Sequence, residues 1–530
     1  MKKSSKNIRE KVLVMSCLLF YLFTPIAAQT PSWVKKAANA VFTLKSFDAN
    51  NQLIGSSNGF FVGENGEALS SFTPFKGAQR AIVIDTQDKE YPVEAIIAVN
   101  DMYDVAKFQV NVKKPTVLSV ANTSATQGST VWLLPYAAKK IPVCIRGSVS
   151  NAEDFQGYAY YTLDMANGEQ NIGCPVLNEG GEVIALLQPS AGGQGTSSYA
   201  VSARFVNDLR INGLSFNDPA LRSTAIPKAL PDTYNDALLA LYMSASVMNA
   251  TEYTDYIERF IQKFPNAADG YIYRARLAAA NGNYAAADED MKKAVKTADN
   301  KDDAHYQYSL LIYQKELYQN DQPYEGWNLE RALEEAKEAY ACNPQPVYRQ
   351  QQAQIKYAQE KYDEAYAIYE ELTKGDLRSA DIFYAAAQCK SQAGDNKAAL
   401  ALLDSAVNTF TQPYIKTAAP YLRARAELGM ACRRYQLALN DMEAVVALEP
   451  TNAELWAEKA SYELRVNLAD KALESAQECL RLDPEGSDGY LMSGIAQCIK
   501  GDKQQGLQNL NTAKELGNDQ AQTFIDKYSQ

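Results

Sequence analysis

The sequence predicts two architectures in one chain, an N-terminal all-β double barrel followed by a C-terminal all-α solenoid of helical repeats. Three observations predict this. From residue 31 to 216, short runs rich in Val, Ile, Phe and Tyr are separated by turn residues, the pattern of a barrel or sandwich built from many short strands. Between Pro219 and Pro231 three prolines fall within thirteen residues, a linker composition. Beyond it, alanine-rich amphipathic segments recur at a spacing of 34 residues, the mark of a repeat array.

Residues 1–28 have a basic start at Lys2, Lys3, Lys6, Arg9 and Lys11, an apolar run from Val12 to Phe23, and Pro25-Ile26-Ala27-Ala28 before Gln29. This reads as a secretory signal peptide cleaved after Ala28, so the mature chain is expected to be exported. Val14-Met15-Ser16-Cys17 has too short an apolar stretch before Cys17 for a lipoprotein signal. No later stretch approaches the ~20 apolar residues of a membrane helix. The 530 residues carry 52 basic and 63 acidic side chains, a formal charge of −11. Such a balance lacks the basic footprint of a nucleic-acid binder.

Seven cysteines follow the leader: Cys144, Cys174, Cys342, Cys389, Cys432, Cys479 and Cys498. None is spaced as CxxC, and with a single histidine no zinc site and no cofactor is expected. The five in the helical part sit among Ala and Leu and read as small buried hydrophobes. Cys144 and Cys174 are a candidate oxidised pair in an exported protein.

In the β part, residues 31–216, the strands are announced by Asn58-Gly59-Phe60-Phe61-Val62, Ala81-Ile82-Val83-Ile84 and Val131-Trp132-Leu133-Leu134, with Glu64-Asn65-Gly66 and Glu179-Gly180-Gly181 as turns. Its length suffices for two small barrels. Residues 217–232 form the expected linker, and residues 233–530 the repeats. In these, Ala287, Ala365, Ala399, Ala438, Ala472 and Gly506 open the second helix of a unit. Ala353, Ala387, Ala426, Ala460 and Gly494 lie twelve residues before their partners, and Leu372, Ala406, Val445, Cys479 and Ala513 seven after. Small residues let two helices approach closely, while Pro265, Pro344, Pro450 and Pro484 close units because proline cannot continue a helix.

This period and pattern resemble the tetratricopeptide (TPR) repeat. Tyr284, Tyr362 and Tyr435 stand at its turn aromatic and Trp456, Tyr271 and Tyr490 at its early aromatic. An insertion over Tyr318–Asn328 and a short one near Pro413 are expected to bulge from the solenoid without breaking it. The resemblance implies a concave face of first helices that binds protein or peptide partners, carrying Arg276, Gln350, Gln354, Tyr384, Gln388, Arg423 and Glu427. The lysine and asparagine pattern that clamps a C-terminal carboxylate in some such proteins is missing.

Asn58 to Val62 followed by Gly66 to Ala78, Asn100 to Phe108, Gln170 to Asn178 with Gly181 to Ile184, and Tyr199 to Ser202 together resemble, in order, the HtrA-like trypsin-fold proteases. That resemblance places the catalytic histidine at Thr73, the aspartate at Asp104, the serine at Ile172 and an oxyanion-hole glycine at Gln170. A threonine is no base near neutral pH and an isoleucine has no nucleophilic atom, so a degenerate triad without catalysis is expected. Asp104 is expected to serve structurally, as an acceptor for nearby backbone. Cys174 lacks an imidazole partner, and the only histidine, His305, reads as an exposed or capping residue near a repeat start. The cleft of such a domain still suits an extended peptide, because strand pairing needs no catalyst.

The function expected is therefore an exported, non-catalytic protein-binding scaffold, with the Gram-negative periplasm or outer membrane as the compartment the resemblance implies. The alternative is a serine endopeptidase using Ser70, Ser71, Ser197 or Ser198 with an unusual base. In a third reading the β domain caps the solenoid.

Overall fold

The computed structural model describes residues 30–529 apart from 156, 167, 190–196, 216 and 217. The signal read over residues 1–28 lies outside them. The chain divides into two compact units, residues 1–265 and 266–530.

The first unit holds two closed six-stranded barrels. Strands β1 (Val41–Phe47), β2 (Leu53–Phe61), β3 (Glu67–Ser70), β4 (Arg80–Ile84), β5 (Glu90–Asn100) and β6 (Val105–Val110) close in the order β1-β2-β3-β6-β5-β4. Strands β7 (Thr130–Leu133), β8 (Ile145–Phe155), β9 (Tyr158–Asp164), β10 (Pro175–Leu177), β11 (Val183–Gln188) and β12 (Ser197–Ser202) close as β10-β11-β12-β9-β8-β7. All twelve ladders are antiparallel. Alternation along a strand sets what fills each barrel: in β6, Ala106, Phe108 and Val110 are buried while Lys107 and Gln109 are half-buried. The first core is aromatic, with the rings of Phe42 and Phe61 4.8 Å apart and those of Phe75 and Phe108 5.0 Å apart. The second core draws on both barrels, since Val41, Phe60, Leu69 and Val105 pack into one cluster with Leu133, Val176 and Leu186. That shared cluster fixes the seam between the barrels.

The proline-rich segment expected to be a linker is bonded to the first barrel. Leu221 and Ile226 enter its core. Gly77 donates to the Ser223 carbonyl at 2.7 Å, Ala225 to Ala78 at 2.9 Å and Ile96 to Pro227 at 2.8 Å. Proline composition marks a chain that cannot continue a helix, but it does not prevent an extended segment from lying along a barrel. Helices Tyr234–Ser244 and Ala250–Lys263 complete this unit, the latter burying Tyr256, Ile257 and Phe260.

The second unit consists of helical hairpins. They pair Ala268–Ala280 with Tyr284–Thr297, Lys301–Tyr318 with Leu329–Cys342, Pro346–Ala358 with Tyr362–Leu372, and Ala380–Gln392 with Asn396–Val407. Then come Ala419–Ala431 with Tyr435–Leu448, Ala453–Arg465 with Ala469–Leu482, Ser487–Lys500 with Lys503–Glu515, and a last helix Ala521–Ser529. Every small residue singled out by the 34-residue pattern is buried, from Ala287 and Ala353 to Gly494 and Gly506. Helices meet closely at Gly494 and Gly506, where a Cβ on Gly506 would lie 2.9 Å from the Gly494 carbonyl oxygen and 2.9 Å from the Cys498 nitrogen. Two of the early aromatics hold helix starts in place. Trp456 Nε1 donates to the Pro450 carbonyl at 3.0 Å, and the Tyr490 hydroxyl to that of Pro484 at 3.3 Å. Each ties its helix to the proline six residues before it.

The structure refines several expectations. The insertion over Tyr318–Asn328 is exposed along most of its length, but Trp327 anchors it: that ring is buried, packs on Tyr284, Tyr308 and Tyr324, and donates from Nε1 to the buried Asp288 at 2.9 Å. Burying the Trp327 ring is favourable, and a break in the repeat period does not reveal that anchor. His305 is neither exposed nor a cap; it is half-buried, with Nδ1 2.5 Å from the buried carboxylate of Glu335. Among the helical cysteines Cys389, Cys479 and Cys498 are buried, but Cys342 is exposed and Cys432 half-buried, each where its helix ends. Cys144 and Cys174 are both free thiols.

Candidate functional site

The structure joins Thr73 to Asp104, and Gln170 and Ile172 to Asn58. Thr73 opens a single 3-10 turn, Thr73–Phe75, that follows β3 and has Pro74 near its start, where the missing amide proton costs nothing. Asp104 ends the β5–β6 turn with φ of +51°, a left-handed conformation that Asp tolerates better than most residues. From there it clasps the Thr73 turn twice: its carboxylate Oδ1 accepts the Thr73 amide at 2.6 Å, and its carbonyl accepts the Phe72 amide at 3.2 Å. Burial holds the Asp104 carboxyl above the usual carboxylate range, opposed by the hydroxyl and amide of Thr73 and by the Lys76 charge.

Ile172 follows the 3-10 turn Glu169–Asn171 that leads into β10. Its amide donates to the Glu169 carbonyl at 3.2 Å, and the next amide, of Gly173, donates to Leu187 at 2.9 Å. The Ile172 and Gly173 amides are therefore already engaged within the protein. Gly173 is obligatory here, because its φ is +82° and a Cβ would sit 2.1 Å from the Asn58 carbonyl oxygen. Cys174, one residue on, is fully buried and its thiol is pushed up to about 12 by desolvation.

Asn58 is the organising residue that sequence reasoning passed over. Its side-chain amide donates to the carbonyls of Gln170 and Ile172 at 2.8 and 2.9 Å, its Oδ1 accepts from the Thr43 hydroxyl at 2.9 Å, and its backbone amide also donates to Ile172 at 2.9 Å. It thus ties β2 of the first barrel to the loop of the second. The available signal was an amide side chain within an apolar strand, a residue that needs partners when buried.

Of the alternative serines, Ser70 is buried and donates to the Asn58 carbonyl at 2.6 Å, and Ser198 is buried and donates to Met165 at 2.7 Å. Ser71 is buried and its hydroxyl has no partner among the described residues, while Ser197 is exposed. No imidazole is present in this unit, because the one histidine of the sequence is His305.

In the helical unit the seven positions read as a binding face lie on first helices: Arg276 on Ala268–Ala280, Gln350 and Gln354 on Pro346–Ala358, Tyr384 and Gln388 on Ala380–Gln392, Arg423 and Glu427 on Ala419–Ala431. Arg276, Gln388, Arg423 and Glu427 are exposed and the others half-buried. Several link successive hairpins. Arg276 donates to Gln307 at 2.5 Å, Arg423 reaches Glu454 at 3.1 Å and Glu458 at 2.6 Å, and the rings of Tyr384 and Tyr421 meet at 5.9 Å. Beside Arg276 a groove of about 500 Å³ is lined by Leu310, Leu311, Gln314 and Tyr318. These four were missed, because the insertion after Tyr318 shifts the repeat register there.

Residues 57–186 match the family model of the trypsin-like peptidase domain, and residues 356–420 match a tetratricopeptide repeat model. A curated protein similar to the chain is the small glutamine-rich tetratricopeptide repeat-containing protein 2 of Saccharomyces cerevisiae. It is 26% identical over 106 residues, which are 20% of this chain and 31% of that protein, so the chain spans about a third of the relative it matches. Similar solved structures include the Rv3671c protease of M. tuberculosis in its active form, at 17% identity with a TM-score of 0.30, covering 39% of this chain and 91% of that one. Another is the HtrA-type protease AlgW with a tripeptide, at 17% identity and a TM-score of 0.29, covering 34% and 62%. The chain joins a trypsin-like peptidase domain, folded as two closed six-stranded barrels, to a helical region of tetratricopeptide repeats.

Proposed function

We propose that this chain is an exported protein-binding scaffold in which the peptidase-like domain does not cleave. One observation carries the reading: at the barrel seam, where general-base catalysis needs an imidazole, Thr73 meets Asp104 through its hydroxyl and amide. A threonine hydroxyl has no proton affinity near neutral pH, and Ile172 offers the loop no nucleophile. Loss of either partner alone reduces a Ser-His-Asp site to a small residual rate. Ser70 and Ser198, each already donating to a carbonyl, lack the base that would activate them. The first-helix face of the repeats supplies polar and aromatic side chains for an extended partner, and the leader over residues 1–28 supports export to the cell envelope. The match of residues 57–186 to a peptidase family favours a second reading, a serine endopeptidase with an unconventional base.

Incubating the intact mature chain with labelled casein and a fluorophosphonate probe separates the two. Neither cleavage nor labelling is expected over the background of heat-unfolded protein. Turnover of casein, with the label recovered on a serine between residues 30 and 265, would establish the second reading instead.

A further inference from the structure

The first unit contains a cavity of about 510 Å³ between the segment over residues 221–228 and the helix Ala250–Lys263. This is the size range of small-ligand sites. One edge of the segment is spent on the barrel, through the bonds that join it to Gly77, Ala78 and Ile96, among them one from Ala229 to Ile96 at 2.8 Å. Lys228 faces the cavity. Its carbonyl accepts from Arg259 at 3.0 Å, but its backbone amide has no partner among the described residues. Its half-buried ammonium donates to the Thr224 carbonyl at 2.5 Å. A carbonyl satisfies one ammonium proton but carries no charge; burial lowers the Lys228 pKa, opposed in part by the negative charge of Glu252.

The two carboxylates lining the cavity have partners of their own, and Glu252 also acts on Lys228 through its charge. Glu252 caps its own helix through the Asn249 amide, and Asp255 pairs with Arg259 at 3.0 Å. Arg222 adds an exposed guanidinium with no ion pair among the described residues. Three cations against two carboxylates leave one positive charge in excess. Beside them, Val247, 45% exposed, and the half-buried Met248 offer an apolar wall, with Leu221 behind.

We propose that this cavity binds a monocarboxylate carried on an unbranched apolar chain, its carboxylate between Lys228 and Arg222 and its chain along Val247 and Met248. A single negative charge matches the excess, and the Lys228 amide supplies a further donor of the kind that holds a carboxylate. A phosphate dianion would overcompensate the charge and leave the apolar wall wet.

Octanoate is the probe, titrated calorimetrically into the intact mature chain, with octan-1-ol and inorganic phosphate as comparators. Octanoate is expected to saturate one site per chain, binding about tenfold or more tighter than octan-1-ol, with no saturable phosphate heat. Lys228→Gln and Val247→Asp should each weaken octanoate by about tenfold while circular dichroism and the melting temperature stay those of the parent. Should Lys228→Gln fold poorly, Arg222→Gln replaces it, because that side chain is exposed and outside the core. Absence of saturable octanoate binding, equal binding of octan-1-ol, saturable phosphate binding of similar strength, or octanoate affinity unchanged in the well-folded variants would each overturn the proposal.

Discussion

Asp104 joins three properties that rarely coincide in one residue: a left-handed backbone, a carboxyl raised by burial, and two accepted backbone amides. The sign of its pH effect follows from the direction of the shift. With the folded pKa above the unfolded one, the native state holds the extra proton between the two values, so stability falls as pH rises through that window and is level beyond it. Asp104→Asn keeps the acceptor for the Thr73 amide and tolerates the left-handed turn, but it cannot ionise. Urea unfolding from pH 3 upward should therefore show the wild type losing ground to Asp104→Asn as pH rises, whereas Asp104→Ala should cost about 1–3 kcal/mol for the lost acceptor. A constant difference between wild type and Asp104→Asn across that range would rule out the raised carboxyl. The expectation that Asp104 accepts backbone bonds came from its residue type at a position the family resemblance singled out. Asn58 escaped notice because its partners lie more than a hundred residues away, and no local pattern encodes such a contact.

Among elements, the hairpin turns show a rule that the 34-residue period only hints at. Six of the seven hairpin turns place one residue in the left-handed region, at Gly282, Glu360, Gly394, Arg433, Asn467 and Gly501; the longer connection after Tyr318 does not. The next amide then reaches back to a carbonyl five residues earlier, as from Lys361 to Lys356 at 2.9 Å, Arg434 to Gly429 at 2.7 Å and Asp502 to Gln497 at 3.0 Å. This is the closing bond of a glycine-type helix cap. Three turns use glycine and three hold a residue with a Cβ, for which the conformation costs roughly 1–2 kcal/mol. The Arg433 side chain is exposed, so Arg433→Gly should raise stability by about 0.5–1 kcal/mol, the strain relieved less the entropy that glycine adds to the unfolded chain. Gly394→Ala should lower it by a similar amount, and calorimetric melts of the intact chain read both; equal effects of one sign would deny that the left-handed turn governs these caps. The alanine positions were legible because close helix packing constrains side-chain size at fixed spacing. The turn positions were harder to see, since Glu360 and Arg433 carry no left-handed signature in their residue type.

At the scale of the whole molecule the informative question is where the first unit ends. Composition changes at the prolines between residues 219 and 231, yet the contacts that matter run through them: Leu221 and Ile226 are 2% and 1% exposed in the first barrel's core. Farther on, Arg259 donates to the Lys228 carbonyl at 3.0 Å, Lys263 to that of Leu230 at 3.1 Å, and Tyr234 packs its ring 6.3 Å from that of Phe260. A proline count reports the absence of helix and is blind to which surface an extended segment covers. Three fragments separate these contributions. Residues 30–265 should unfold in one cooperative transition. Residues 30–232 should melt lower, having lost the helix that buries Tyr256, Ile257 and Phe260. Residues 30–218 should lose most, because two fully buried aliphatic side chains contribute about 1.5–3 kcal/mol each, and the amides of Gly77 and Ile96 lose their partners. That loss would also loosen the Thr73–Phe75 turn just before Gly77. Urea midpoints of the three fragments are the measurement; if 30–218 proved as stable as 30–232, the segment would be a tether and the first barrel would be complete without it.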